Sequence, residues 1–377
     1  MREYNEFEID PTVRQMIAES QRLPEGPEKV MMLEEAVRIA DTGNDVKLQY
    51  DAREELIEGA FWSGETEKAL VAYTWCLAQF DKNPALFMEW SLLWRYKWIV
   101  NIAFHFPQIP KEQIYEMLDE MERRYRRAGY GLRVVYYYRH RIEKFFGNRD
   151  AAIEHFNYAQ TLARDTLSDC AACETDERVS FQIYCENDDL ALDLAEPILL
   201  GRQRCRTVPQ RTLGHVLLPL ARLGRWDEAW DYHLRGYSMI SGKPSLLEYL
   251  SDHLLFVGLY GDFERGARLL EKHFDWVKQI TDQYDRYLFY RAALLFLDIL
   301  SDSGTATIEL RMPESFPLYE SGGVYETAKL KAWFEARARE IAEKFDVRNG
   351  SDSMTKELAE TPDLKRVRRR AAGLLNA

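Results

Sequence analysis

Apolar residues return at three- and four-residue intervals through nearly the whole chain. In "PEKVMMLEEAVRIA" (27–40), "ARLLEKHFDWV" (267–277) and "AKLKAWFEARAREIAEKF" (328–345) they fall along one side of an α-helix, with charged residues opposite. Such stretches end at polar or glycine-containing joints. The alternating runs of half-buried strands are not sustained, and the dipeptides of tight hairpins hardly occur. The pattern predicts an all-α protein.

The joints recur in register. "SGETEKALVAY" (63–73), "FGNRDAAIEHF" (146–156), "LGRWDEAWDYH" (223–233) and "YGDFERGARLL" (260–270) align on Gly64, Gly147, Gly224 and Gly261. The small residue five places on is then Ala69, Ala152, Ala229 or Gly266. Between Gly147 and Gly224, "CENDDLALDLA" continues the pattern, with Glu186 in the glycine place and Ala191 in the small one. A further turn near "FPQIPKEQ" (106–113) fills the earlier gap. The period is about 37–43 residues, the length of two helices, a turn and a connector. Small residues at a fixed place suit helices that approach closely there.

This arrangement resembles a tetratricopeptide repeat (TPR) array. The likeness lies in the second half of each unit: glycine at the turn, alanine at the helix contact, and a large residue four places later, here Tyr73, Phe156 and Leu270. Pro84 in "DKNPALF" and Pro244 in "SGKPSLL" match the proline that closes such repeats, while Pro197 is expected to interrupt a helix. The resemblance implies a right-handed superhelical solenoid of antiparallel helix pairs with a concave inner face. Residues 1–44 would form an N-terminal helical pair or cap, 45–280 the repeat array, and 281–377 a C-terminal helical cap with a basic tail. It further implies a non-catalytic adaptor or regulatory module that binds a protein or peptide. Length and all-helical repeats are also similar to the Rap-type TPR regulators of bacteria, which bind signalling peptides and act on response regulators or transcription factors.

Composition narrows the partners. Of 377 residues, 46% are hydrophobic and 30% charged, which describes a folded chain, and the net charge of −12 argues against general attraction to nucleic acid or anionic lipid. The N-terminus "MREYNEFEIDPTVRQ" carries acids where a signal peptide needs a basic patch and an apolar run. The most apolar stretches, such as "ALLFLDIL" (293–300), fall short of the roughly 20 residues that a membrane helix needs. A cytoplasmic protein with reduced cysteines is the expectation.

One segment runs against the overall charge. Residues 121–149, "MERRYRRAGYGLRVVYYYRHRIEKFFGNR", hold nine Lys or Arg against two Glu, a local +7. Arginines interleaved with tyrosines can clamp carboxylates, so Arg123, Arg127, Arg133, Tyr137 and Arg141 are the candidate partner-binding residues, for an acidic peptide or protein. The competing reading pairs these cations with acidic faces of neighbouring repeats. Trp90, Trp94 and Trp98 recur every four residues, as expected of a core stripe or, on a groove, of an anchor pocket. "LKRVRRRAAGLL" (364–375) reads as the exposed end of a last amphipathic helix.

Four of the five cysteines fall within residues 169–205. A helix from about Cys173 to Cys185, a partner from about Asp188 to Leu200 and a stop at Gly201 would bring Cys170, Cys173 and Cys205 to one end and leave Cys185 at the other. That geometry excludes a four-cysteine zinc site. Three readings stay open: a zinc site on Cys170, Cys173 and Cys205 with Asp169, Glu174 or a histidine as fourth ligand; a redox or disulfide role; and plain packing. Cys76 reads as core. No H-E-x-x-H, phosphate loop, G-x-S-x-G or dinucleotide glycine motif occurs, and the seven histidines show no ligand spacing.

Overall fold

The computed structural model describes residues 6–368. Helical hairpins succeed one another: α1 (Glu6–Ser20) with α2 (Pro27–Ala40), α3 (Val46–Ser63) with α4 (Thr66–Lys82), α5 (Glu89–Ala103) with α6 (Lys111–Arg127), and α7 (Arg133–Phe145) with α8 (Arg149–Thr161). They continue with α9 (Ala171–Tyr184) and α10 (Asp188–Leu199), the short α11 (Gln210–His215) and α12 (Leu217–Arg222) with α13 (Trp226–Ile240), and α14 (Leu247–Tyr260) with α15 (Phe263–His273). After the single turn α16 (Trp276–Gln279) come the long α17 (Gln283–Asp302), a ribbon of β1 (Thr307–Glu309) and β2 (Val324–Glu326), then α18 (Thr327–Asn349) and α19 (Ser353–Glu360). The fold is all-α apart from that ribbon. Its strands are three residues each, burying only Ile308 and Tyr325, too short to leave an alternating pattern.

The turn register has a backbone cause. Gly64, Gly147, Gly224 and Gly261 sit at φ +80°, +84°, +74° and +90°, where a Cβ is penalised. Glu186 takes the same conformation at φ +62°, alone among the described non-glycine residues. The small positions are helix contacts: Ala69, Ala152, Ala191 and Ala229 are fully buried, and at Gly266 a Cβ would lie 2.2 Å from Cε2 of Phe296. Tyr73, Phe156 and Leu270 are buried beside them.

Contrary to expectation, Pro197 does not interrupt α10. It lies in the last turn, and its carbonyl still accepts the N–H groups of Arg202 (2.8 Å) and Gln203 (3.0 Å). A proline three residues from a helix end removes one bond without displacing a following turn. The chain then ends differently from the expected amphipathic helix: Thr361–Val367 is a 3₁₀ stretch, with Lys365 paired to Asp298 and Asp302, and 369–375 lie outside the described residues.

Polar side chains link successive hairpins at nearly constant separation. Lys68–Glu34, Arg95–Glu54, Arg124–Asp81, Arg133–Glu174, Arg141–Glu177 and Thr212–Asp176 join residues 34, 41, 43, 41, 36 and 36 apart. The end of the chain also returns to its first third. Arg348 donates to the carbonyls of Phe104 (2.7 Å), Phe106 (3.3 Å) and Ile109 (3.2 Å), and Asn349 Nδ2 donates to Phe145 O (3.2 Å). Lys111 Nζ donates to Asn349 O at 3.0 Å. The hairpins therefore close around a common interior.

Candidate functional site

That interior holds a chamber of about 500 Å³, within the range of ligand sites. The first helix of every hairpin after α1–α2 lines it, α3, α5, α7, α9, α11 and α14, together with α17 and, at one side, α19. On α9 the inward face is Cys173, Glu177, Ser180 and Tyr184, and on α7 it includes Tyr138, Arg141 and Phe145, both at helical spacing.

The cations come from α7 and α11. Arg141 bonds Glu177 through Nε (3.0 and 3.1 Å) and Nη2, and its Nη1 donates to Asn101 Oδ1 (2.9 Å). Burial opposes ionisation of Glu177, but the Arg141 guanidinium outweighs it and holds the carboxyl at about 2. Beside this pair, Asp176 Oδ1 accepts the Thr212 hydroxyl (2.6 Å), and Arg211 Nε (3.1 Å) and His215 Nδ1 (3.3 Å) stand in ion-pair range without hydrogen-bonding it. Burial again works against the Asp176 anion, and Arg211 and His215 reverse it, so its pKa falls; Asp176 in turn raises that of His215 against burial. Lys144 projects toward the chamber over the Tyr184 ring at 5.2 Å.

Carboxylates gather on α14 and α17. Asp252 of α14 is pushed up to about 7 by burial. Burial also raises Asp285 of α17, with Asp282 and Glu248 adding to it. Among the described residues neither Glu248 nor Asp285 has an ion-pair partner for its carboxylate. Asp282 caps α17 through the Asp285 N–H (3.0 Å) and bonds His105 Nδ1 (2.7 Å). His105, Asp282 and Asp285 bring ligand atoms within 4.8 Å of one another, although Asp282 has both oxygens engaged.

The five candidate partner-binding residues do not share a surface. Arg123 and Arg127 are exposed on α6, with Arg123 paired to Glu120 at 2.7 Å. Arg133 is buried, bonding Glu174 (3.2 and 3.1 Å) and the carbonyls of Ala159 and Leu162 (both 2.8 Å). The Tyr137 hydroxyl accepts from Arg133 (3.2 Å) and Gln160 (2.6 Å). Only Arg141 reaches the chamber. Arg124, Arg133, Arg139 and Arg141 of this segment are thus met by acids of adjacent hairpins, and Arg123 and Arg126 by acids of α6 itself. The tryptophans also differ from a core stripe: Trp90 and Trp94 stack on each other at 5.2 Å near the surface, while Trp98 lines the chamber and stacks on Phe61 at 4.9 Å.

Sequence reading did not single out Arg211, Glu248, Asp252 or Asp285. A usable signal existed in α14, "LEYLSDHLLFVGLY", where Glu248 and Asp252 stand four apart in an otherwise apolar helix.

At the edge of the chamber the cysteines meet as the hairpin geometry requires. Cys170 is the N-cap of α9 and its Sγ accepts the Cys173 N–H at 3.4 Å; Cys173 and Cys205 Sγ are 3.4 Å apart. The three sulfurs lie within 4.8 Å of one another, and Cys185 caps the far end of α9. Asp169 is taken by Lys97 Nζ (2.6 Å) and Glu174 by Arg133, so neither proposed fourth ligand stands free. Cys76 is buried in the core. No helix among the described residues is long and apolar enough to cross a membrane. No protein-family model matches the chain, and no curated protein matches it.

Proposed function

We propose that this chain is a TPR-like array that binds a short peptide in its inner chamber and acts through that binding alone, as an adaptor or regulatory module. The observation that carries the reading is the chamber's mixed charge. Arg141, Lys144 and Arg211 line it from α7 and α11, and Glu248, Asp282 and Asp285 from α14 and the start of α17. A peptide presents the same pair of features, a carboxylate and an amine joined by a polar backbone. The aromatic walls from Trp98, Tyr138 and Tyr249 supply apolar contact between the charged ends. Repeat-period ion pairs support the array, since equivalent residues of successive units then face one another.

In this reading Arg141 meets the ligand, while Arg133 and Tyr137 brace the wall beneath it. Arg123 and Arg127 stay outside the ligand's reach, exposed on α6 toward any macromolecular partner. Selection from a randomised peptide library, followed by calorimetric titration of the selected peptides, tests this. Ser180→Trp fills the chamber and Lys144→Glu reverses an exposed charge within it. Both should weaken binding at least tenfold with helicity retained; affinity unchanged in both variants would refute the chamber as the site.

A further inference from the structure

The three-thiol cluster has features that packing cysteines do not need. Cys76, the core cysteine, is enclosed in apolar side chains, whereas Cys170 is exposed and Cys173 and Cys205 are half-buried. The Cys170 sulfur is met by the Cys173 N–H at 3.4 Å, and the Cys205 sulfur lies 3.9 Å from the Thr207 hydroxyl. An amide donor aimed at sulfur favours the thiolate, the form that binds metal.

The spacing fits the same chemistry. Four ligands at a Zn–S distance of about 2.3 Å put tetrahedral sulfurs roughly 3.8 Å apart. Cys173 and Cys205 stand at 3.4 Å, and all three sulfurs lie within 4.8 Å of one another. Shifts of an ångström or less would complete the triangle. Lys97, bonded to Asp169 next to Cys170, and Arg211, which lines the chamber with Cys173, bring positive charge to the cluster.

We propose that Cys170, Cys173 and Cys205 form a binding site for zinc, held by three thiolates with solvent in the fourth position. The carboxylates nearest in sequence are already engaged, Asp169 by Lys97 and Glu174 by Arg133, which leaves that position to water. The ion would join the start of α9 to the loop before α11. Cys173, Thr207 and Arg211 from these two segments all line the chamber, so the ion would fix the wall that carries Arg211 and Glu177. The site is independent of any peptide.

The test uses the full chain, reduced and freed of metal by chelation under anaerobic conditions. It is titrated with Co²⁺ alone and then with Zn²⁺, reading thiolate-to-cobalt charge transfer and bound zinc per chain. One equivalent should bind, zinc should displace cobalt, and Cys170→Ser, Cys173→Ser and Cys205→Ser should each weaken binding at least tenfold. Cys185→Ser, at the far end of α9, should bind as the parent does. Should Cys173→Ser fail to fold, the exposed Cys170 still decides the matter. Absence of thiolate charge transfer in the reduced parent, or binding unchanged in Cys170→Ser and Cys205→Ser, overturns the proposal. So does a reduced parent whose Cys173 and Cys205 can be cycled to a disulfide and back but never take up either ion.

Discussion

Arg348 ties α18 to the segment between α5 and α6 through three carbonyls. Its guanidinium is half-buried, bonds Asn349 Oδ1 through Nε (2.6 Å) and has no carboxylate partner among the described residues, and burial holds its pKa down at about 10. It is surrounded instead by three carbonyls and by the rings of Phe145, Phe146 and Phe345, at 5.7, 5.1 and 5.4 Å. Replacing it with methionine keeps much of the apolar stem and removes every donor. Phe106 O retains the Ile109 N–H, so Phe104 O and Ile109 O lose the bonds that Arg348 supplies. Each such buried acceptor costs about 1–3 kcal/mol, and the lost ring contacts add about 0.5–1 kcal/mol. Recovered methionine packing offsets part of this, leaving a destabilisation of about 3 kcal/mol. Urea unfolding followed by circular dichroism reads it as a lower midpoint at unchanged slope. Hydrogen exchange should quicken at the joint between α5 and α6 before it does elsewhere. A loss below about 0.5 kcal/mol, the range of an ordinary surface substitution, would refute the view that these carbonyl bonds hold α18 against the α5–α6 joint.

Three other substitutions test the account of the fold. Glu186→Gly should stabilise by about 1 kcal/mol, because the left-handed turn penalises a Cβ by roughly that amount; a destabilised variant in thermal unfolding would show that Glu186 has a compensating role. Gly266→Ala should destabilise by about 1–3 kcal/mol through overlap with the Phe296 ring, and Phe296→Leu should relieve much of it in the double variant. Additive losses would place the strain elsewhere. His140, whose Nδ1–H donates to Ala152 O at 2.8 Å, is held down at about 4 by burial. The unfolded chain protonates it near 6.5 while the folded chain does not, so stability falls with pH across the window from 6.5 to about 4 by about 1.4 kcal/mol per unit. Between pH 7.5 and 5, His140→Gln should therefore lose about 2 kcal/mol less than the parent in denaturant titrations; equal losses would mean that His140 does not contribute.

Local features of the sequence carried much of this structure. The glycine register marked the left-handed turns as far as Glu186, because only a few residue types tolerate that conformation. The hairpin of α9 and α10 was legible to within a few residues, and with it the meeting of Cys170, Cys173 and Cys205. The role of the basic segment was not legible, because it depends on acids one hairpin away: Glu174 for Arg133, and Glu177 for Arg141. Those partners lie 41 and 36 residues away, close to the spacing of the glycine turns, so that spacing was the available clue. Closure through Arg348 involves carbonyls about 240 residues distant, a contact that no local pattern encodes. The chamber follows from that closure, and its acidic lining was hidden for the same reason.

The central claim is that the ligand enters the chamber and does not dock on the exposed basic face of α6. Hydrogen exchange with and without a library-selected peptide separates these directly. The account predicts slowed exchange on the inward helices α7, α9, α14 and α17, with α6 and α8 unchanged. Protection centred on α6 around Arg123 and Arg127, with the inward helices unaffected, would contradict it.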